Sequence, residues 1–260
     1  KDLTHYQERA PQNAVYDKSA RRYVAGPDFQ PVFMDPDPDA YLMRLRSMAE
    51  GFAEPGANWL AAPPDMDVAL TLRRKVDTEV LRSVLAAVRE ERSLVLHYQS
   101  MNRNRPDPAW RRITPHAFGF DGLRWHVRAW CHETERFKDF LLSRVLGHGE
   151  SGEPGARAAQ DRLWQETFDI TIVPHPELSA GQQAVVAKDY NMADGRAVLT
   201  VRYAMLFYVL KRLGLLEGAL TRDPRTQHIV AANEHEVAAA LERAQREFDE
   251  ADVASGAAPR

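Results

Sequence analysis

Cysteine is almost missing from this chain: Cys131 is the one such residue in 260. That excludes an intrachain disulfide and a cysteine-rich zinc module, and it fits a reducing, cytoplasmic setting. No run of apolar residues approaches the roughly 20 needed to cross a bilayer, and no basic-then-apolar leader opens the chain, so no membrane partner is expected. Net charge is scarce too, at -3, which does not mark a nucleic-acid binder as a whole and directs attention to local patches. Catalytic signatures are wanting as well. There is no G-x-S-x-G elbow, no H-E-x-x-H helix and no C-x-x-C pair. His126 and His132 lie too far apart along one strand to chelate an ion locally. A non-enzymatic protein without metal or cofactor is the expectation.

What is present suffices for about two ordinary domains, since 44% of the residues are hydrophobic. Residues 1–25 predict a short helix, a stop at Pro11 and two brief strands about Lys18 and Ser19, with five Lys or Arg against three acids. The chain starts at Lys1 directly in that helix, so a preceding N-terminal part of the natural protein is expected. Residues 27–67 reverse the sign and hold seven prolines around a helix carrying Tyr41, Leu42, Leu45 and Met48, expected to brace neighbouring domains. A second helix from about Asp77 to Glu91 carries Val80, Val84 and Val88 on one face.

From Arg92 to His148 the period changes to alternation. SLVLHYQS, WRRITPHAFGF, RWHVRAWCH and FKDFLLSRVL predict four close-set strands, with a hairpin turn at Asp121 and Gly122, and so a small, strongly curved barrel-like sheet. This span holds ten Lys or Arg against five acids, and five of the nine histidines. GHGESGEPGARAAQ follows as a Gly-rich connector. Its formal G-x-G-x-x-G match fails as a dinucleotide site, because Glu150 and Glu153 would repel a pyrophosphate and no parallel unit follows. FDITIVPHPEL, SAGQQAVVAKDY, GRAVLTVRY, AMLFYVLKRLGLL, TQHIV and a closing helix then predict a small α+β domain; the closing helix sets Val237, Leu241, Ala244 and Phe248 on one face.

RWHVRAWCH is the most informative stretch. As a strand it puts Trp125, Val127, Ala129 and Cys131 on one face, assigned to the core, and Arg124, His126, Arg128, Trp130 and His132 on the other. The blander alternative is a solvated face on a structural sheet. Cationic groups mixed with indoles suit a stacking, anionic ligand better, and Trp110, Tyr98, Ser100 and Arg144 belong to the same sheet. The N-terminal helix and basic hairpin read in turn as the second half of a winged helix, or else as a basic surface hairpin.

LHYQS, RRITPHAF, G-x-RWHVRAWC and FKDFLLSRV together resemble the WYL domain of bacterial transcriptional regulators. DLTHYQERAPQNAVYDKSARRYVAG and the segment from FDI to AALERAQ resemble the rest of one branch, which joins a winged helix, a WYL domain and a C-terminal dimerisation domain and is typical of phage-defence islands. The resemblance implies an SH3- or Sm-like barrel that senses a ligand. Its site positions fall on Tyr98, Trp125 and Arg144, while His126 and Val127 replace the other two name-giving residues.

The combined reading is an α+β multidomain regulator: residues 1–26 the end of a winged helix, 27–91 a helical linker, 92–148 the WYL barrel and 165–250 the dimerisation domain. Its expected partners are a second copy, double-stranded operator DNA and a nucleotide-like or oligonucleotide effector. Lys1, Thr4 and His5 on the helix and Lys18, Arg21 and Arg22 on the hairpin are the candidate DNA contacts. On the sheet, Arg128 and Arg144 would bind phosphate, His126, Ser100 and His116 would give directional hydrogen bonds, and Tyr98 and Trp130 would stack. Replacing either arginine with alanine is expected to abolish the ligand response and leave operator affinity without ligand nearly unchanged. An RNA- or single-strand-binding accessory protein is the alternative.

Overall fold

The computed structural model describes residues 2–33, 35–52, 64–69, 74–103 and 105–254, with side chains to residue 246. Lys1 and the side chain of Phe248 lie outside the described residues. Two compact units divide the chain at residues 72 and 73.

The first unit contains α1 (Asp2–Arg9), β1 (Ala14–Asp17), β2 (Arg22–Ala25) and α2 (Pro38–Ala49). β1 and β2 pair antiparallel from Ala14 opposite Ala25 to Asp17 opposite Arg22. The Asp17 carboxylate closes the turn by accepting the amides of Ser19 and Ala20 at 2.8 and 3.0 Å. Arg21 takes a left-handed φ of 50° there. Buried Asn13 ties the hairpin to its flanks: its Nδ2 donates to the Tyr6 hydroxyl at 2.9 Å and its Oδ1 accepts the Gln30 amide at 3.0 Å. Gly26 is obligatory beside it, since a Cβ would stand 2.1 Å from the Gln12 carbonyl oxygen. Asp37 caps α2 and Pro38 opens it, the arrangement that leaves fewest orphan amides.

In the second unit, α3 (Thr78–Arg89) is capped by Asp77, whose carboxylate accepts the amides of Glu79 and Val80. It precedes β3 (Ser93–Tyr98), β4 (Ala109–Phe120), β5 (Trp125–Cys131), β6 (Arg136–Leu141) and β7 (Val145–Gly152). These form one antiparallel sheet in the order β6-β5-β4-β3-β7. Val80, Val84 and Ala87 of α3 bury against Leu94, Leu96, Ile113, Val127, Ala129 and Cys131. Two expectations are corrected here. The fourth strand is cut by a 3₁₀ turn over Leu142–Arg144, and GHGESG is not a connector but part of β7, paired with β3. The turn carries the chain from one sheet edge to the other in three residues, which span about 10 Å at most, so the sheet is sharply bent. No ladder joins β6 to β7 among the described residues, and the sheet is not a closed barrel.

The remainder comprises α4 (Arg162–Gln165), β8 (Thr167–Pro174), α5 (Ala180–Asp189), β9 (Ala197–Arg202), α6 (Tyr203–Leu213), β10 (Ile229–Ala231) and α7 (Glu234–Ala254). Its sheet is antiparallel in the order β10-β8-β9. Ile170, Leu206 and Leu210 are fully buried at its centre, and Val237 and Leu241 of α7 pack on the same core. Gly214, at a φ of 69°, ends α6 in the left-handed conformation that other residues resist.

Candidate functional site

β5 is buried on both faces. Val127, Ala129 and Cys131 face α3, as alternation requires, while His126 and Arg128 on the opposite face are 6% and 1% exposed. Trp125 does not join the core. It is 52% exposed, because it starts the strand next to the hairpin tip and meets the Phe120 ring at 4.9 Å instead of α3.

What covers the polar face is a set of carboxylates from three places in the sequence. Asp161 accepts Arg128 Nε at 2.7 Å and Nη2 at 3.0 Å, a two-pronged guanidinium–carboxylate pair. Asp139 on β6 accepts Arg128 Nη1 at 3.4 Å and the Tyr208 hydroxyl of α6 at 3.1 Å. His116 Nε2 lies 2.9 Å from Asp161, placed there by a bulge in the pairing of β4 with β5 between Pro115 and Ala117. The bulge also accommodates a proline inside a strand. His126 Nε2 lies 3.1 Å from Asp121, whose carboxylate also takes Arg124 Nε at 2.7 Å, and the His126 ring lies 4.9 Å from that of Tyr208.

Burial by itself raises the Asp121 carboxyl, but hydrogen bonds from His126, Arg124 and the Leu123 amide outweigh it and hold the group well below the usual carboxylate range. Asp161 is depressed in the same way: desolvation opposes, and the bonds from His116 and Arg128 prevail. Burial would lower the Arg128 guanidinium, yet Asp161 and Asp139 raise it, so this arginine stays charged.

A depressed carboxylate stabilises the fold above its unfolded-state pKa and loses that contribution as pH falls through its folded value. The melting temperature is therefore expected to hold from neutral pH to about 5 and to fall steadily below about 4, the ordinary carboxylate range. Asp121→Asn should be less stable at neutrality and show a shallower acid slope, read from thermal melts between about pH 2.5 and 7. An unchanged slope would deny Asp121 this role.

The seven sheet residues singled out by sequence fall into two groups. His116 and Arg128 meet at Asp161, Trp130 lines the same cleft of about 460 Å³ with Arg128, Arg136, Phe137, Gln160 and Arg162, and His126 stands next along β5, held by Asp121. Arg136 and Arg162 were missed by pattern reasoning, because neither lies at a regular position of the polar face. Tyr98, Ser100 and Arg144 stand together elsewhere. The Gln99 amide, between the first two, donates to the Arg144 carbonyl at 3.1 Å, and Tyr98 pairs with Val145. Tyr98 is buried, its hydroxyl accepting the Leu141 amide and its ring edge-on to Phe140. Ser100 Oγ accepts the Asn102 amide. The half-buried Arg144 guanidinium has no ion pair among the described residues.

In the first unit, Thr4 and His5 are exposed on α1, with His5 Nδ1 at 3.5 Å from Glu8. Lys18, Arg21 and Arg22 are exposed at the hairpin tip, with no carboxylate in salt-bridge range among the described residues.

A helix followed by a cationic two-stranded wing, a bent sheet with a guanidinium-rich face and a small α+β module are the parts of a modular gene regulator. Family descriptions match in that order: the winged helix-turn-helix domain of BrxR transcriptional regulators over residues 1–47, the WYL domain over 79–148 and the BrxR C-terminal dimerization domain over 167–237. The DNA-binding transcriptional repressor CapW of Stenotrophomonas maltophilia is 39% identical over 91% of this chain and 79% of its own length. CapW of Escherichia coli strain KTE188 is 35% identical over 93% and 80%, and CapW of Pseudomonas aeruginosa 31% over 91% and 78%. The chain belongs to the BrxR family of WYL-domain transcriptional regulators.

Proposed function

We propose that this protein is a transcriptional repressor that binds operator DNA as a homodimer, and that its WYL sheet senses an anionic, nucleotide-like or oligonucleotide signal controlling a phage-defence locus. The observation that carries the DNA-binding part is the cationic wing tip of Lys18, Arg21 and Arg22, unpaired among the described residues, in a chain whose relatives are DNA-binding repressors along nearly its full length. The assignment of segments follows: a winged-helix part at 1–26, a helical connection, a sensor at 92–148 with SH3-like curvature and a dimerisation domain at 165–250. Catalysis has no part in this reading, and the setting is the cytoplasm.

In the sensor, Arg144 is the phosphate anchor because its charge is not already spent, with Ser100 beside it for a hydrogen bond. Arg128, His116, His126 and Trp130 form a second contact region in which an incoming phosphate competes with Asp161 for the guanidinium. A signal bound there would loosen the tie between the WYL sheet and the segment leading into the dimerisation domain, and thus favour one regulatory state over the other.

A gel shift on the DNA upstream of the protein's own gene, against random duplex and single strand, with and without added oligonucleotides, tests the proposal. Preference for the upstream duplex that a signal relieves is expected. Equal affinity for random duplex would sink the repressor reading, and preference for single strand would favour an accessory binding protein. Arg144→Ala should lose the signal response while its melt stays within about 1 kcal/mol of wild type, since no ion pair is broken. A full response in that variant would remove Arg144 from the site.

A further inference from the structure

We propose that β9 is the self-recognition element of the dimerisation domain, pairing antiparallel with β9 of a second copy to continue the sheet across a twofold axis. This deepens the homodimer reading and rests on it. The two edges of the three-stranded sheet differ. β10 is three residues long and wholly buried, whereas β9 is six residues long and meets no other strand on its outer side among the described residues. An open edge in a monomer is normally blunted by lysine, proline or a bulge, and the run Ala197-Val198-Leu199-Thr200-Val201 has none of these. Arg202, the one charge on the strand, is turned away onto Trp164, bonded to its carbonyl oxygen and 5.1 Å from its ring.

The backbone is oriented for pairing. The Thr171 amide donates to Asn233 and its carbonyl accepts from Ala232, so Thr171 addresses the β10 side of β8. By antiparallel alternation Ile170 and Ile172 address β9, and their partners Leu199 and Ala197 point back at them. Val198 and Thr200 consequently present their amides and carbonyls outward. A twofold axis at Leu199 sets Val198 opposite Thr200 of the second copy and Leu199 opposite itself. Self-pairing also accounts for the side chains. Val198 is 63% exposed, and Leu199 is 37% exposed even though it shares the core-facing parity of buried Val201. Both lie within the stretch matching a dimerization domain, which names a second copy as the occupant.

Sedimentation of the full chain tests this. Leu199→Lys and Leu199→Glu should each weaken the dimer by on the order of 100-fold, since like charges would stand directly opposed, and mixing the two should restore it. Val198→Pro deletes an outward amide without touching the β8 ladder and should weaken the dimer similarly while circular dichroism still shows a folded chain. A monomeric wild type would fail the homodimer reading itself. A dimeric wild type whose Val198→Pro variant dimerises normally, or whose folded Leu199 variants dissociate without recombining, would overturn only the pairing through β9.

Discussion

Arg128→Ala costs about 3–5 kcal/mol of folding stability, because it leaves the buried Asp161 carboxylate and the largely buried Asp139 without their shared cation. This departs from what the strand pattern alone suggests, namely a change that abolishes the ligand response and leaves ligand-free operator affinity nearly unchanged. Arg128 is 1% exposed and its guanidinium binds carboxylates from two other segments, so it holds the molecule together before it meets any ligand. Arg128→Lys should recover only part of the loss, since an ammonium cannot reproduce the two-pronged bond to Asp161. Pairing Arg128→Met with Asp161→Leu should recover more than the lysine, because that exchange removes both members of the main pair. Denaturant titrations of the four proteins decide the matter. A loss below about 1 kcal/mol for Arg128→Ala would mean that water reaches the guanidinium and the pair is worth no more than a surface one.

Removing the wing charges has the second large effect, on binding and not on folding. The combination Lys18→Ala, Arg21→Asn and Arg22→Ala should lower duplex affinity by roughly 100-fold near 0.15 M salt. It should also flatten the slope of log affinity against log salt by about 2.7, from about 0.9 for each phosphate that a side chain no longer neutralises. Asparagine is chosen at position 21 because Arg21 has a left-handed φ of 50°, a conformation asparagine tolerates better than alanine. The loss should be the same for operator and random duplex, since phosphates carry no sequence. Fluorescence anisotropy across a salt series reads both quantities, and an unaltered slope would place the DNA elsewhere.

The wing illustrates what can be read without coordinates. Its two strands, its turn and its cations are contiguous in sequence, so local turn chemistry and charge spacing suffice. The same holds for α3 with its Asp77 cap, for α5 with its Ser179 and Gln182 capping box, and for the apolar face of β5 through Val127, Ala129 and Cys131. In each case the cause of the structure lies within a few residues of the structure itself, and the WYL-regulator resemblance rests on equally local motifs.

The partner of the polar face of β5 was of another kind. Alternation determined that His126 and Arg128 share a side, but not that Asp161, 33 residues further on, would close over it. Trp125 failed for the related reason that a strand's core face is buried only as far as something packs on it, and α3 does not cover the hairpin tip. GHGESG became β7 because β3 had an edge to satisfy, although its own residues favour a loop. Periodicity along a chain sets which way a side chain points. What it meets there depends on segments distant in sequence, whose approach is fixed only when the sheet bends and the α+β module docks, and that was decided by the tertiary structure.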